Sequence, residues 1–400
     1  MKKEFYNSKI FILILSIVIF LSSGYALTTV FNFYLFYLKL SVAFILLLPT
    51  LNILMKKGVK PKAGLVFILL IGIILTMIAS GFDNVNAYIG YIILILLAFE
   101  IMLLYDFKSI KNYYVNIMTI IAIVSLIGYF AVNVLSISLP TVLNINNTQY
   151  GNGIIFFTLK GNEIRNCGPF WEPGVYASYL TFAILFILLG EKNKYGKLRL
   201  FLFYLTLITV NSSAGFMLML LSLFIPFLKN KNVNNHFDFK NILNFFMFTI
   251  AILIIINLDN IILAFFNNNP FVLKLLSENV LNSSRYIALQ ANWSLFLESP
   301  YWGLGVNEYA RLTSSYTNAD MSTSLSFLSI FGLSGIIYTL MIIIGAFNMK
   351  NVNSYIKVIV SLMFLIIVNK EPHQNILFTW ILILCFFYNN HLFSRKSYNL

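Results

Sequence analysis

Long apolar windows, recurring from one end of the chain to the other, limit what this sequence can fold into. A run of about 20 apolar residues is long enough to cross a bilayer as a helix. Such windows fall near residues 10–30, 37–55, 63–80, 87–105, 114–136, 172–190, 197–211, 213–228, 242–262, 322–346, 354–369 and 374–393. Of the 400 residues, 59% are hydrophobic and only 10% are charged, which excludes an ordinary soluble domain. The expectation is an all-α, polytopic integral membrane protein of about twelve transmembrane helices, built as one membrane domain over residues 1–400. The first window begins after Met1, Lys2, Lys3 and Glu4 and reaches small residues at Ser22–Gly24, as a signal peptide does. Apolar character continues to Val30, so it is read as an uncleaved first helix.

A formal net charge of +13 invites a nucleic-acid partner, but its distribution answers to membrane orientation instead. With the N-terminus cytoplasmic, the inner segments hold 20 of the 27 Lys and Arg residues. Lys39, Lys160, Arg165, Lys274, Arg285, Arg311 and Lys370 are left for the outside. The positive-inside rule is met loop after loop, both termini fall in the cytoplasm, and no nucleic acid is implied. Two outer segments are long, 137–171 and 263–321. The two cysteines, Cys167 and Cys385, offer neither a disulfide framework nor a metal site. Glu100 lies toward the inner end of its window, and no file of ionisable residues crosses the midplane, which speaks against a proton-driven transporter. Abundant Ile, Asn, Lys and Phe suit an AT-rich bacterial gene.

The densest chemistry lies in Arg165, Asn166, Cys167, Gly168, Pro169, Phe170, Trp171, Glu172, Pro173 and Gly174. Gly168-Pro169 and Pro173-Gly174 break regular structure, so Arg165 belongs on a loop. Glu172-Pro173 fits the start of a helix, with proline in the first turn and an acid near the positive end of the dipole. An Arg and a Glu held there would grip a charged substrate; the same two would also serve as an ion pair that ties the loop down. In the second outer segment, Ser283 or Ser284 could cap a short amphipathic surface helix with Arg285 in its first turn. Gly303-x-Gly305 follows, either as part of a phosphate loop or as a tight turn. Arg165, Arg285 and Arg311 lie outside, where the planar guanidinium suits phosphate, whereas the inner loops use mostly lysine. His373 falls in a short outer turn, where a surface histidine would titrate near neutrality.

Three stretches of the chain resemble the bacterial O-antigen polymerases and related O-antigen ligases. Arg165-x-x-Gly168-x-Phe170-x-Glu172-Pro173, followed by Ala177, is similar to the motif that precedes a membrane helix in that superfamily. Ser283-Ser284-Arg285, Trp293 and Phe296-x-Glu298-Ser299-Pro300-x-x-Gly303-x-Gly305 resemble its second outer loop. Ser322–Leu328 with Phe331-Gly332-Leu333-Ser334-Gly335 resembles its closing helix. The ligases place a histidine shortly before that helix, where this chain has Asp320-Met321-Ser322, so the polymerases are the better match. An arginine common in the family is missing at Ser212-Ser213-Ala214-Gly215.

The resemblance implies a glycosyltransferase of the bacterial inner membrane, and with no metal-binding carboxylate cluster visible in the outer segments the reaction is expected to be metal-independent. It would join oligosaccharide repeat units, carried on polyprenyl diphosphate, into O-antigen or capsular polysaccharide, with a flippase and a chain-length regulator as partners. The catalytic residues expected are Arg165, Arg285 and Glu172, and the substrate contacts are Arg165, Arg285, Arg311, Tyr176 and His373. The chemistry fits: a diphosphate leaving group is already ionised, so its departure needs positive charge more than a proton. No cofactor is implied. The alternatives are a glycan ligase and a lipid-linked oligosaccharide flippase.

Overall fold

The computed structural model describes residues 9–27, 32–57, 61–143, 148–153, 155–159, 165–190, 195–229, 284–314, 322–349 and 352–388. The side chains of residues 9, 10, 32, 33, 57, 61, 62, 107, 229 and 284–286 fall outside that description. The protein is mostly helical. In chain order come α1 (Lys9–Leu21), α2 (Asn32–Lys57), α3 (Pro61–Ala79), α4 (Val85–Leu104) and α5 (Phe107–Asn133). Three strands follow, β1 (Thr141–Leu143), β2 (Gln149–Asn152) and β3 (Phe157–Leu159), then α6 (Pro173–Leu189), α7 (Gly196–Val210) and α8 (Ser213–Lys229). The remainder comprises α9 (Ser284–Glu298), α10 (Val306–Thr313), α11 (Thr323–Phe331), α12 (Ile336–Phe347), α13 (Ser354–Val368) and α14 (Leu377–Tyr388).

Among the described residues, four helical stretches are long and apolar enough to cross a membrane: Tyr34–Lys56, Val85–Leu104, Lys108–Asn133 and Thr323–Phe347. Six others are apolar but shorter, among them α6 and α14. The window at 242–262 lies outside the described residues.

Burial sorts the helices. Helix α6 is buried on every side from Pro173 to Phe186, and α14 from Leu377 to Phe387, as expected of helices that are apolar all round. The outer helices behave oppositely. Phe44 and Leu48 of α2, Ile68 and Ile71 of α3, and Ile120 and Ile127 of α5 point outward, large and apolar. A hydrocarbon solvent covers such a surface and water does not.

Local chemistry sets the ends. Glu172 occupies the N-cap of α6 in extended conformation with Pro173 in the first turn, as its sequence predicts. Asn211 closes α7 in the left-handed region (φ 49°), so α8 starts two residues later; Asn is among the few residues that accept this conformation. The windows 197–211 and 213–228 are therefore two separate helices.

Three expectations need correction. The all-α class admits a small antiparallel sheet in order β1-β2-β3, with Val142 opposite Tyr150 and Tyr150 opposite Leu159. The first helix does not run to Val30. It stops at Leu21, because Gly24 takes φ 90° beneath the Trp171 ring, where any side chain would collide with the indole. The backbone beyond it pairs with the loop before α6: Ala26 N–H donates to the Pro169 carbonyl (3.0 Å) and Trp171 N–H to that of Gly24 (3.2 Å). The last window does not start as a regular helix either: residues 373–375 form a 3-10 turn, and α14 begins at Leu377.

Candidate functional site

Asn166 anchors the loop before α6. Its side-chain amide donates to Thr209 Oγ1 (3.0 Å) and Ser125 Oγ (3.3 Å), and its carbonyl accepts from Gly168 N–H (2.9 Å). Its own backbone N–H reaches the Thr209 carbonyl at 3.0 Å. Gly168 takes φ 55° against Tyr176, whose ring would stand 2.8 Å from an added Cβ. Tyr176 is fully buried, and its hydroxyl pairs with Ser125 Oγ at 2.7 Å. The structure thus gives Tyr176 a supporting position under the loop. Its hydroxyl, expected at the substrate, is already engaged.

On this platform sit Arg165 and Glu172. Arg165 is half-buried and donates through Nε to the Asn211 carbonyl (3.2 Å), where α7 turns into α8. Glu172 makes no side-chain cap bond, and its Oε2 is buried without a hydrogen-bond partner. The two do not form an ion pair, so the structure removes the simple reading in which each only neutralises the other. A buried carboxylate oxygen without a donor costs about 1–3 kcal/mol, and a ligand hydroxyl is the kind of group that would satisfy it. Next to it, burial and then the Glu172 charge push the Cys167 thiol up to about 12.

A second set of groups meets this loop from the turn between α13 and α14. Lys370 and Glu371 are both almost fully buried. Lys370 Nζ donates to Ser212 Oγ, one residue beyond the carbonyl that Arg165 holds. A Cβ added at Gly174 would collide with Glu371 Oε1 and stand 2.8 Å from Lys370 Nζ. Ammonium and carboxylate therefore lie side by side over the first turn of α6, which is open to them only because position 174 is glycine. Burying charges in this way is tolerable only when they are paired and hydrogen-bonded.

His373 is corrected by the same turn: it is a wholly buried histidine, not a surface one. Its Nδ1 lies 2.9 Å from Thr379 Oγ1, while Nε2 is buried without a partner. Burial first and the Lys370 charge second drive its pKa down to about 3, so it is neutral at physiological pH. Helix α11 joins the cluster through Thr323, whose hydroxyl donates to the Glu371 carbonyl at 3.0 Å and accepts the His373 N–H at 2.9 Å. Asn369 Oδ1 accepts from Ser322 Oγ and from Ser324 N–H, each at 3.1 Å. Ser324 Oγ is buried and without a partner.

The remaining expected residues are Arg285 and Arg311. Arg285 falls in the first turn of α9, and its side chain is among those not described. Arg311 lies on α10, exposed, and pairs with Glu308 at 2.5 Å one helical turn back. Gly303 and Gly305 (φ 76° and 77°) form a turn whose N–H groups are already used. Gly303 donates to Ser299 (2.9 Å), Leu304 to Ser329 (2.9 Å) and Gly305 to Ile330 (3.1 Å). This is a structural turn clasping the end of α11, not a phosphate loop. Gly332 (φ 60°) completes the clasp, leaving no room for a Cβ against the carbonyls of Pro300 and Tyr301.

The site thus joins the 165–172 loop, the Asn211–Ser212 joint, the 369–374 turn and the amino end of α11. Arg165, Glu172 and His373 belong to it. The residues that sequence reasoning missed are Lys370, Glu371 and Ser212. The signal for Lys370 and Glu371 was a Lys-Glu-Pro-His run packed into the brief interruption between two apolar windows. No family model matches the chain, and no curated protein matches it.

Proposed function

We propose that this chain is a membrane glycosyltransferase that polymerises lipid-linked oligosaccharide repeat units. In this reading about twelve helices span the bacterial inner membrane, with both termini cytoplasmic and the 165–172 loop outside. Arg165, with Arg285 from α9, stabilises the diphosphate of the donor. The acceptor sugar hydroxyl donates to Glu172 Oε2. As its oxygen bonds to the anomeric carbon, the bond from that carbon to the phosphate oxygen breaks. The electron pair leaves with the diphosphate, and the hydroxyl proton passes to the Glu172 carboxylate.

The observation that supports this best is the state of Glu172. It is an acceptor oxygen, buried and unpartnered, on a loop held rigid from several sides, with Arg165 seven residues before it on the same platform. The test is a deletion strain whose carrier-linked and acceptor-linked glycans are run on a gel. Single repeat units on the final acceptor are expected. Full-length chains stranded on the carrier would instead identify a ligase, and unflipped repeat units a flippase.

A further inference from the structure

Two cations from segments far apart in sequence, Arg165 and Lys370, hold consecutive residues of one helix joint, Asn211 and Ser212. Like charges brought together away from water repel strongly unless something negative is close. Three helices also begin around this point: α6 at Pro173, α8 at Ser213 and α11 at Thr323. Each amino terminus adds roughly half a positive charge. Among the described residues, two carboxylates stand against these, Glu172 and Glu371. They match the two side-chain cations but not the helix ends. Two buried groups able to donate, Ser324 Oγ and His373 Nε2, have no partner beside the same turn.

From this arrangement we propose that Lys370 is a substrate-binding residue: with Arg165 across the Asn211–Ser212 joint it forms a binding point for a diphosphate. This rests on the polymerase reading above and extends it, since it assigns the carrier's diphosphate to a cation on the turn before the last helix. Ser212 orients the Lys370 ammonium. Glu371 lies beside it over Gly174 and moderates its charge in the empty site.

The test uses the full-length protein in nanodiscs, with polyprenyl diphosphate as the probe and polyprenyl monophosphate and inorganic diphosphate as separate arms. Wild type should bind the lipid diphosphate most tightly. Tight binding of inorganic diphosphate alone would show a site for the free anion and overturn the lipid assignment. Lys370→Met should weaken binding about ten- to a hundredfold, the range for one charge-assisted contact. Glu371→Gln should tighten it several-fold, because it removes a competing negative charge. A merely structural ion pair predicts the same direction for both variants. The combined Lys370→Met, Glu371→Gln variant keeps the charge balance; it should melt near wild type and still bind weakly. Wild-type affinity in that double variant, or weakened binding in Glu371→Gln, would overturn the role of Lys370 while leaving the polymerase reading intact. No binding of the lipid diphosphate by wild type would remove both.

Discussion

At Cys167, only two residues from Arg165, burial and the neighbouring Glu172 charge push the thiol up to about 12, so almost none is thiolate at pH 8. Maleimide should leave Cys167 unmodified in the folded protein at that pH and label it once denatured; rapid labelling of the folded protein would show that the loop opens. His373 supplies a pH dependence whose sign can be worked out. The unfolded chain titrates near 6.5 while the folded protein holds the ring neutral down to about 3. Between those values the unfolded state binds the extra proton, so stability is present above pH 6.5 and falls as pH is lowered. The slope from this group is at most about 1.4 kcal/mol per pH unit. Other groups also titrate in this range, so the informative quantity is a difference: wild type should lose more melting temperature than His373→Gln between pH 6.5 and 4.5. Parallel curves would contradict a buried neutral histidine. Among the site residues, Arg165 and Glu172 were legible because Pro and Gly around them announce a shaped turn. Lys370 and Glu371 were not, because charges in a short turn ordinarily face solvent, and only the packing of α6 against that turn buries them.

Helix α6 shows where element-level reasoning succeeds and where it stops. Its start at Glu172-Pro173 followed from helix-terminus chemistry; its all-round burial, seen in the structure, accords with its uniform apolarity. That its first turn would receive two charged side chains did not follow, since it depends on the missing Cβ of Gly174. Alanine is the better helix former by about 1 kcal/mol. Even so, Gly174→Ala should destabilise the protein by roughly 1–3 kcal/mol, the usual cost of overpacking, with loss of activity. A higher melting temperature in the alanine variant would show that Glu371 and Lys370 move aside freely. The sheet β1-β2-β3 escaped the sequence for another reason: strands this short carry too little alternation, and their pairing is set by contacts such as Phe157 N–H to the Gly168 carbonyl (2.7 Å). Helix α1 ended early because tertiary contacts with Trp171 and Pro169 outweighed local apolarity.

Over the whole molecule, the apolar windows and the basic residues between them predict which ends of the helices face which side. Cysteines placed at Asn147 and Asn234 test the orientation. An impermeant reagent on intact cells should label the first and spare the second, and the reverse result would invert the topology. The central claim concerns chemistry at the loop end, and it is tested most directly by polymerisation of purified lipid-linked repeat units by the reconstituted protein and its Glu172→Gln variant. The amide preserves size, and Pro173 and Trp171 keep the turn. The account predicts that the variant retains its melting temperature and its affinity for the polyprenyl diphosphate donor, while transfer slows by about 10²–10⁴. Transfer at the wild-type rate, or a loss of rate that tracks a collapsed melting temperature, would contradict it.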